Sequence, residues 1–491
     1  MGNVETSALV KETGGPAAIE PKISHAVLLT GAPVASGLGR MLFVLVVARV
    51  LGPRQFGVYA LLLAMVSMVT VASGTGYADY LTREAAKDAR VGWGLGSQLT
   101  WLRLACVIPL VGAGIGILWV LGYPRSVLAA AAWLSATLAP RAVIEAVQGV
   151  LRGVGRYLAY FVVELVYNLA LVGGVVFLLA RGGALGVVIA AEIIAAAAGA
   201  AAGIVYLLMF RTKERIRLEW RQLLQKSAIF NIYVFVGNLY DRLDVVLLSK
   251  LAGDYATGVY SVAYRPLATL QLVPYGILYS LMPALSRNAG GVEERRRLER
   301  AMGFLLSAAF ALVLATMVFA GPAVRLVLGQ RYAETAVAVK ILIWAVILRY
   351  VNFGLGIRLL AGGHERVFVA TSLVCLGVNV IGNLLLIPIF SWRAAAALTI
   401  VTEAALLAQN MYWLRRTIGT IPRPFRWVRT SLVFAAFLGA ALGGAEVVSP
   451  VLAGSACLLF FLIYLYRTGM VREFATAWGA GRNSALGAAN P

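Results

Sequence analysis

Uninterrupted apolar runs close to twenty residues long recur from about residue 26 to residue 467 of this 491-residue chain. Each is long enough to cross a hydrocarbon core of about 30 Å as an α-helix. Composition agrees: 60% of residues are hydrophobic and only 13% charged, against about a quarter charged in a soluble domain of this length. Mean hydropathy is +0.83. A transmembrane β-barrel would show short alternating strands instead, and the sequence has no such pattern. The fold class expected is an all-α polytopic membrane protein. About fourteen spans are read at roughly 26–50, 56–78, 98–121, 127–149, 157–180, 184–209, 227–250, 258–283, 301–327, 335–359, 366–390, 393–415, 430–449 and 450–467.

Charge orients these spans. The formal net charge of +21 would suggest a nucleic-acid partner in a soluble protein. Here the basic residues crowd alternate loops, which is the positive-inside pattern, and there is no compact basic domain to grip nucleic acid. One cluster holds Arg211, Lys213, Arg215, Arg217, Arg221 and Lys226. A second holds Arg287, Arg295, Arg296, Arg297 and Arg300, and a third Arg415, Arg416, Arg423, Arg426 and Arg429. The intervening loops are short and carry about one arginine each (Arg125, Arg181, Arg393). Both termini are therefore expected in the cytoplasm, which requires an even number of spans; the excess of Arg over Lys with abundant Ala and Gly suggests a GC-rich bacterial genome, and the bacterial cytoplasmic membrane is the expected location. Residues 1–25 lack an apolar core and read as a polar cytoplasmic tail rather than a signal peptide. Cys106, Cys375 and Cys457 fall inside apolar runs with no ligand spacing, so neither a disulfide framework nor a metal site is expected.

The chain repeats itself. Arg49-Val-Leu-Gly52 followed by Gly57-Val58-Tyr59 returns as Lys250-Leu-Ala-Gly253 followed by Gly258-Val259-Tyr260, at an offset of 201. Asn168 and Glu192 match Asn379 and Glu403 at about 211, and Leu151 and Gly153 match Leu360 and Gly362 at about 209. Six spans per half preserve orientation, so the repeats are parallel, one of the two architectures of secondary transporters. The expected organisation is a first lobe over 26–210, a basic linker over 211–226, a second lobe over 227–416, two further spans over 417–467 and a cytoplasmic tail over 468–491.

These residues carry a family resemblance. Ala48-Arg49-x-Leu51-Gly52-Pro53-x-x-Phe56-Gly57-x-Tyr59, then Gly74-x-Gly76 and Leu81-Thr82-Arg83-Glu84, resembles the start of Wzx-type polysaccharide flippases. The segment from Asp244 to Tyr260 resembles the same family at its second repeat. The stretch Tyr264-Arg265, Leu272-x-Pro274-x-Gly276 and Pro283-x-Leu285-Ser286-Arg287 is also similar to MurJ-type lipid II flippases, a sister group in the multidrug/oligosaccharidyl-lipid/polysaccharide superfamily. The MurJ pattern has an acidic residue where this chain has Tyr264. The resemblance covers about residues 24–467. It implies two six-helix lobes around a central cavity plus two C-terminal helices. It also implies alternating access that carries an undecaprenyl-pyrophosphate-linked glycan from the cytoplasmic to the outer leaflet, with polysaccharide polymerase or export proteins as partners of what is otherwise a monomer.

Ionisable residues inside spans narrow the candidate site, since each costs about 2.5–3.5 kcal/mol at a helix centre on insertion scales. Arg40, Arg141, Arg265 and Arg349 lie deep in spans 1, 4, 8 and 10. Arg103, Arg358 and Lys250 sit nearer span ends and are expected to snorkel. A guanidinium-lined cavity suits a phosphate-bearing cargo, because Arg presents a planar fork of donors. Two readings stand for several of these residues. Arg141 and Glu145, at i and i+4, either serve the cavity or neutralise one another. Arg40 and Asp241, equivalent in the two halves, either bridge the lobes or pair locally. Span 7 is polar, with Asn231, Asn238, Asp241, Arg242 and Asp244, and at about 100° per residue Asn231, Asn238 and Arg242 fall in one narrow stripe with Asp241 beside it. Its Asp241 or Asp244 is a candidate for a coupling H⁺ or Na⁺, while Asp244 alternatively sits at the membrane surface. Glu192 and Glu403 are repeat-related carboxylates that either carry a proton, their pKa raised by burial, or bond structurally, as does Glu164. No cofactor beyond a coupling ion is expected, and no catalytic residue.

Other functions are less well served. A drug or cation antiporter of the same superfamily would favour acidic cavities, against the deep arginines. A glycan polymerase or ligase needs acid/base residues on a sizeable outward loop, and here those loops are short, with both histidines (His25, His364) near the cytoplasmic side.

Overall fold

A computed structural model describes residues 23–74, 76–180, 182, 184–209, 220–279, 281–282, 285, 291–424, 426–444, 449–469 and 472. Side chains at 23–36 and 220–234 are outside the description, so the place of Asn231 in the polar stripe is too. The expected tails (1–25 and 468–491) lie almost wholly beyond the described residues, as do residues 211–219 of the expected basic linker, whereas its residues 220–226 are helical and belong to the following helix. Within these residues the chain is nearly all helix and contains no strand.

The helices in chain order are α1 (Ile23–Ala72), α2 (Gly76–Lys87), α3 (Ala89–Val120), α4 (Arg125–Ser135), α5 (Leu138–Gly153), α6 (Tyr157–Ala180) and α7 (Leu185–Met209). The second half has α8 (Trp220–Leu270), α9 (Leu272–Tyr279), α10 (Val292–Leu328), α11 (Ala333–Leu342), α12 (Trp344–Ala361), α13 (Glu365–Phe390) and α14 (Trp392–Thr417). A single 3₁₀ turn, Gln330–Tyr332, precedes α11. Two last helices, α15 (Trp427–Gly444) and α16 (Pro450–Arg467), follow. Eleven stretches among the described residues are long and apolar enough to cross a membrane. The polar α8 is not among them, and α1 is one of the eleven although it contains two spans. Dividing α1 and α8 at their breaks restores the six, six and two segments read from the sequence.

Those breaks show the duplication in the backbone. Gly52 (φ 72°, ψ 170°) interrupts α1 and Gly253 (φ 82°, ψ 177°) interrupts α8. This region of conformational space is accessible essentially to glycine alone, so the 201-residue repeat preserves a glycine because each half turns the same corner. A second pair of turns sharpens the alignment. The helix caps Val154 and Gly362 are each followed by a positive-φ glycine, Gly155 and Gly363. The backbone register there is 208 rather than 209, which makes Arg141 and Arg349 equivalent.

Two boundaries differ from expectation. The span read as 56–78 stops at Ala72, and the chain turns at Gly74 into α2, a separate amphipathic helix. Its residues Asp79, Arg83, Glu84 and Lys87 explain why hydropathy alone did not see it. The span read as 258–283 is divided between the end of α8 and the short α9.

The most extensive helix contact joins α1 to α8, one from each half. At the end bearing Gly52 and Gly253 this contact is reciprocal. A Cβ on Gly57 would fall 1.8 Å from the carbonyl oxygen of Asp254, and a Cβ on Gly258 would fall 1.9 Å from that of Pro53. Only glycine permits so close a backbone approach. Arg49 of the first half donates to the terminal carbonyls of α10, Leu326 O at 2.7 Å and Val327 O at 3.0 Å. Lys250, its equivalent, donates to Leu121 O at the end of α3. Tyr332 Oη donates to Ala48 O at 2.9 Å, and Tyr123 Oη donates to Ser249 Oγ at 3.0 Å. Helix C-termini carry unsatisfied carbonyls and partial negative charge, so each half supplies a cation that caps a helix of the other.

The C-terminal pair packs on the outside of the second half. Phe434 stacks on Phe310 of α10 with centroids 4.3 Å apart, and Gly454 lets α16 settle against Val318.

Candidate functional site

The corner glycines fix where α1 and α8 diverge, and the cleft between them holds the charged groups. It is lined by Ala60 of α1 and by Asp241, Arg242, Asp244, Ser261, Tyr264 and Arg265 of α8, and it encloses about 370 Å³ including its open mouth. Arg265 lines it as expected, and its guanidinium has neither a hydrogen bond nor an ion pair among the described residues. Arg242 and Arg40 are close enough to act on it electrostatically, as are Tyr59 and Glu192. Beside it, Arg242 Nε and Ser261 Oγ are buried without a partner. Arg242 belongs to the polar stripe read in the sequence, but its place next to Arg265 was not foreseen. The two residues are 23 positions apart and meet because α8 folds back at Gly253.

The other three arginines are engaged. Arg40 Nη2 donates to Tyr167 Oη at 2.8 Å, with its guanidinium 5.3 Å from the Tyr167 ring centroid. Arg141 Nη2 reaches the same hydroxyl at 3.2 Å and donates to Glu192 Oε2 at 2.9 Å. Tyr59 Oη donates to the other Glu192 oxygen at 2.8 Å. In the second half Arg349 Nε donates to Glu403 Oε1 at 2.5 Å, while Asn352 Nδ2 donates to Glu403 Oε2 at 3.0 Å. Arg349 Nη2 also donates to Tyr264 Oη at 2.8 Å, and that hydroxyl donates to Asp241 Oδ1 at 3.4 Å. Both halves thus bury an arginine–glutamate pair at equivalent positions, and a tyrosine ties each pair to a better exposed charge. That charge is Arg40 in the first half and Asp241 in the second.

Several alternatives left open by the sequence are decided against here, as is the expected snorkelling of two arginines. Arg141 does not pair with Glu145. Glu145 instead binds Arg103 at 2.5 Å, with Ser73 Oγ and Thr70 O as further acceptors for Arg103. Residues at i and i+4 share a helix face, but α5 turns Arg141 toward α6 and α7 while Glu145 meets α3. Arg103 consequently does not snorkel; it is 6% exposed. Arg358 is likewise buried, with Nη1 unpartnered, whereas Lys250 is exposed. Among the described residues no ion pair joins Arg40 to Asp241; Asp241 lies 4.0 Å from Arg349. Asp244 is not at a surface. It is 4% exposed, accepts from Tyr260 Oη and from Val245 N at 2.7 Å, and Tyr260 in turn meets Thr399. Glu164 takes Gln148 Nε2 at 2.7 Å. Of the hydroxyl anchors, Tyr59 was legible as half of a repeat, but Tyr167 and Tyr264 had no periodic signature.

Among the described residues no group of three or more His, Cys, Asp or Glu side chains could hold a metal ion, and all three cysteines are free. The arrangement can hold an anion against Arg242 and Arg265, and it offers hydroxyl and carboxylate acceptors beside them.

Solved structures share this fold. A structure described as "Lipid II flippase MurJ, inward closed conformation" superposes with TM-score 0.70 at 12% identity, covering 91% of this chain and 99% of that one. An inward-facing multidrug resistance MATE family transporter of the MOP superfamily gives 0.63 at 15% identity, covering 80% and 98%. An outward-facing one gives 0.55 at 14%, covering 80% and 95%. No curated protein sequence matches the chain significantly. The family model described as "Polysaccharide biosynthesis protein" matches residues 25–289. That stretch is more than half of the sequence and takes in both repeats of the corner motif, so this multi-pass membrane protein, with the fold of MOP-superfamily transporters, belongs to the polysaccharide biosynthesis protein family.

Proposed function

We propose that the chain is a flippase that moves an undecaprenyl-pyrophosphate-linked oligosaccharide from the cytoplasmic to the outer leaflet of a bacterial inner membrane, by ion-coupled alternating access, for surface polysaccharide assembly. The observation that carries this reading is the pair of adjacent guanidinium groups, Arg242 and Arg265, in a cleft between the two halves of a membrane bundle. Neither has an ion-pair partner there, and Arg242 Nε is an orphaned donor. A cation without an ion-pair partner in such a place is expensive, and a phosphate group supplies the missing acceptors. With the termini cytoplasmic, the corner glycines mark the outer end. That end is sealed by the reciprocal contacts, which corresponds to a state that loads cargo from inside.

Replacing Arg265 with Ala tests the reading. Surface glycan disappears, lipid-linked glycan accumulates on the cytoplasmic face, and membrane abundance is unchanged; export at wild-type level overturns it. A lipid II cargo is the second reading, favoured by the MurJ likeness. Depletion that stops cell-wall growth rather than surface polysaccharide selects it.

A further inference from the structure

We infer that the second half binds the phosphate of an anionic phospholipid headgroup at the end of α12, between Arg358 of α12 and Arg295 of α10. With the termini cytoplasmic this is the inner-leaflet end. The site is separate from the cleft between the halves and goes beyond the flippase reading.

Three observations carry it. First, Arg358 is a buried cation with nothing to bind. It is 4% exposed, its Nη1 meets no acceptor, and it makes no ion pair among the described residues. The carbonyls of its own helix end are already taken. Gly362 N reaches Arg358 O and Leu359 O, both at 3.2 Å, His364 N reaches Leu359 O at 3.1 Å, and Gly363 N reaches Leu360 O at 3.0 Å. The guanidinium is therefore not a cap of α12.

Second, its surroundings are short of acid. The charged groups that face it are Arg295 and Glu294, both from the start of α10. Arg295 Nε donates to Glu299 Oε1 at 2.9 Å, and the same oxygen accepts from Arg423 N at 3.1 Å. Over residues 292–300 four arginines stand against three glutamates, and Arg358 and Arg423 add to the excess.

Third, the fold does not demand an arginine here. In the register that matches Arg141 to Arg349, the first-half equivalent of Arg358 is Val150, which is fully buried. The second half thus puts an unpaired cation where the first packs a valine, and such a cation is costly until an anion joins it.

A phosphate fits this vacancy in charge, because its oxygens accept from the planar guanidinium fork. Depth selects a lipid as its bearer. Arg358 lies in the last turn of an apolar span, Gln330–Ala361, at the level of headgroups, and two arginine-rich segments meet beside it. Basic pockets between helices on this side of a membrane bind anionic headgroups. Arg295 has a side chain 39% exposed, so a headgroup meets Arg295 first and Arg358 last. Once seated, it joins α10 to α12 and to the connection that leads into α15, whose Ile418 already packs at Gly362.

The test titrates the full chain, in a neutral detergent, with short-chain phosphatidylglycerol, with short-chain phosphatidylcholine and with inorganic phosphate. Bound molecules are counted by native mass spectrometry. Wild type holds one phosphatidylglycerol more tightly than any further one and prefers it to phosphatidylcholine. Arg358→Val, which installs the first-half residue, weakens that first site about tenfold, the loss of roughly one charge-assisted bond. Arg358→Gln keeps a polar side chain and weakens it likewise, so the result does not hang on one variant's folding. Arg296→Ala removes the same charge from an exposed position beside Arg295 and leaves the first site unchanged. Glu294→Gln removes the facing acid and tightens it. Equal binding by wild type and both Arg358 variants overturns the inference. So does an equal loss in Arg296→Ala, equal retention of phosphatidylcholine, or a site that inorganic phosphate fills in the lipid's place. None of these outcomes touches the flippase reading, which stands or falls with Arg265.

Discussion

Replacing Gly57 with alanine should force the two halves apart at the corner end. The new Cβ would lie 1.8 Å from the carbonyl oxygen of Asp254, whereas even a close C–H···O contact needs about 3.3 Å between carbon and oxygen. The helices must therefore separate by roughly 1.5 Å. The bonds from Arg49 to Leu326 O and Val327 O, at 2.7 and 3.0 Å, and from Tyr332 to Ala48 O, at 2.9 Å, cannot survive that displacement. A hydrogen bond from a charged donor contributes about 1.5–3 kcal/mol and a neutral one about 0.5–1.5 kcal/mol. Arg49 is exposed, so solvent screening favours the low end. The sealed arrangement then loses about 2–4 kcal/mol, or roughly 30- to 1,000-fold in its population. The assay is pulsed electron–electron spacing between spin labels at Arg125 and Arg393, one on each half at this end, with Cys106, Cys375 and Cys457 replaced. Wild type gives a short distance and Gly57→Ala a longer one. Gly258→Ala, with its 1.9 Å approach to Pro53 O, must do the same. An unchanged distance in either variant refutes the steric reasoning, and a change in only one refutes its symmetry.

Other outcomes follow from named contacts. Arg49→Ala and Lys250→Ala should each raise the fraction of molecules at the longer distance, by less than the glycine variants do, since each removes one half's cap and leaves the backbone contact in place. Tyr167→Phe removes the acceptor that holds Arg40 and Arg141 together, and should weaken binding of undecaprenyl pyrophosphate by about tenfold, the loss of roughly one charge-assisted bond; unchanged affinity would remove Tyr167 from the site. Arg103→Met strands Glu145, and because that carboxylate is 30% exposed the loss should be about 1–3 kcal/mol, below the range for a fully buried pair. It is measured as a lower midpoint of thermal unfolding in detergent. Gly454→Val places side-chain atoms into Val318, whose Cγ2 is already 2.1 Å from where a Cβ would sit. The α15–α16 pair should become accessible to limited proteolysis at its connection with α14.

Much of the architecture was legible because its causes are local. A run of apolar residues declares a span by itself, and the glycines at 52 and 253 announce a conformation that other residues avoid. The partners of the buried charges were illegible for a related reason. Helices apolar on most faces give no clear periodicity, so nothing in the sequence fixes how α5 is rotated. Glu145 was the visible neighbour of Arg141, whereas its real partner, Glu192, is 51 positions away on α7. Arg103 was misread likewise, since its acid lies 42 positions on. The match between Arg141 and Arg349 needed the positive-φ turns at Gly155 and Gly363 to set the register, which side-chain identities alone left one residue out.

The reciprocal caps have a mechanical consequence. Arg49 holds α10 and Lys250 holds α3, with the two glycine contacts between them, so the fastening has a point on each side of the pseudo-twofold axis. A seam pinned on both sides cannot swing open like a door on one hinge. Loosening either pin leaves the other bearing the whole strain, and the pair releases together or not at all. A duplicated chain thereby keeps what a symmetric dimer has at its interface: a latch with only two settings, whose sharpness comes from having been copied.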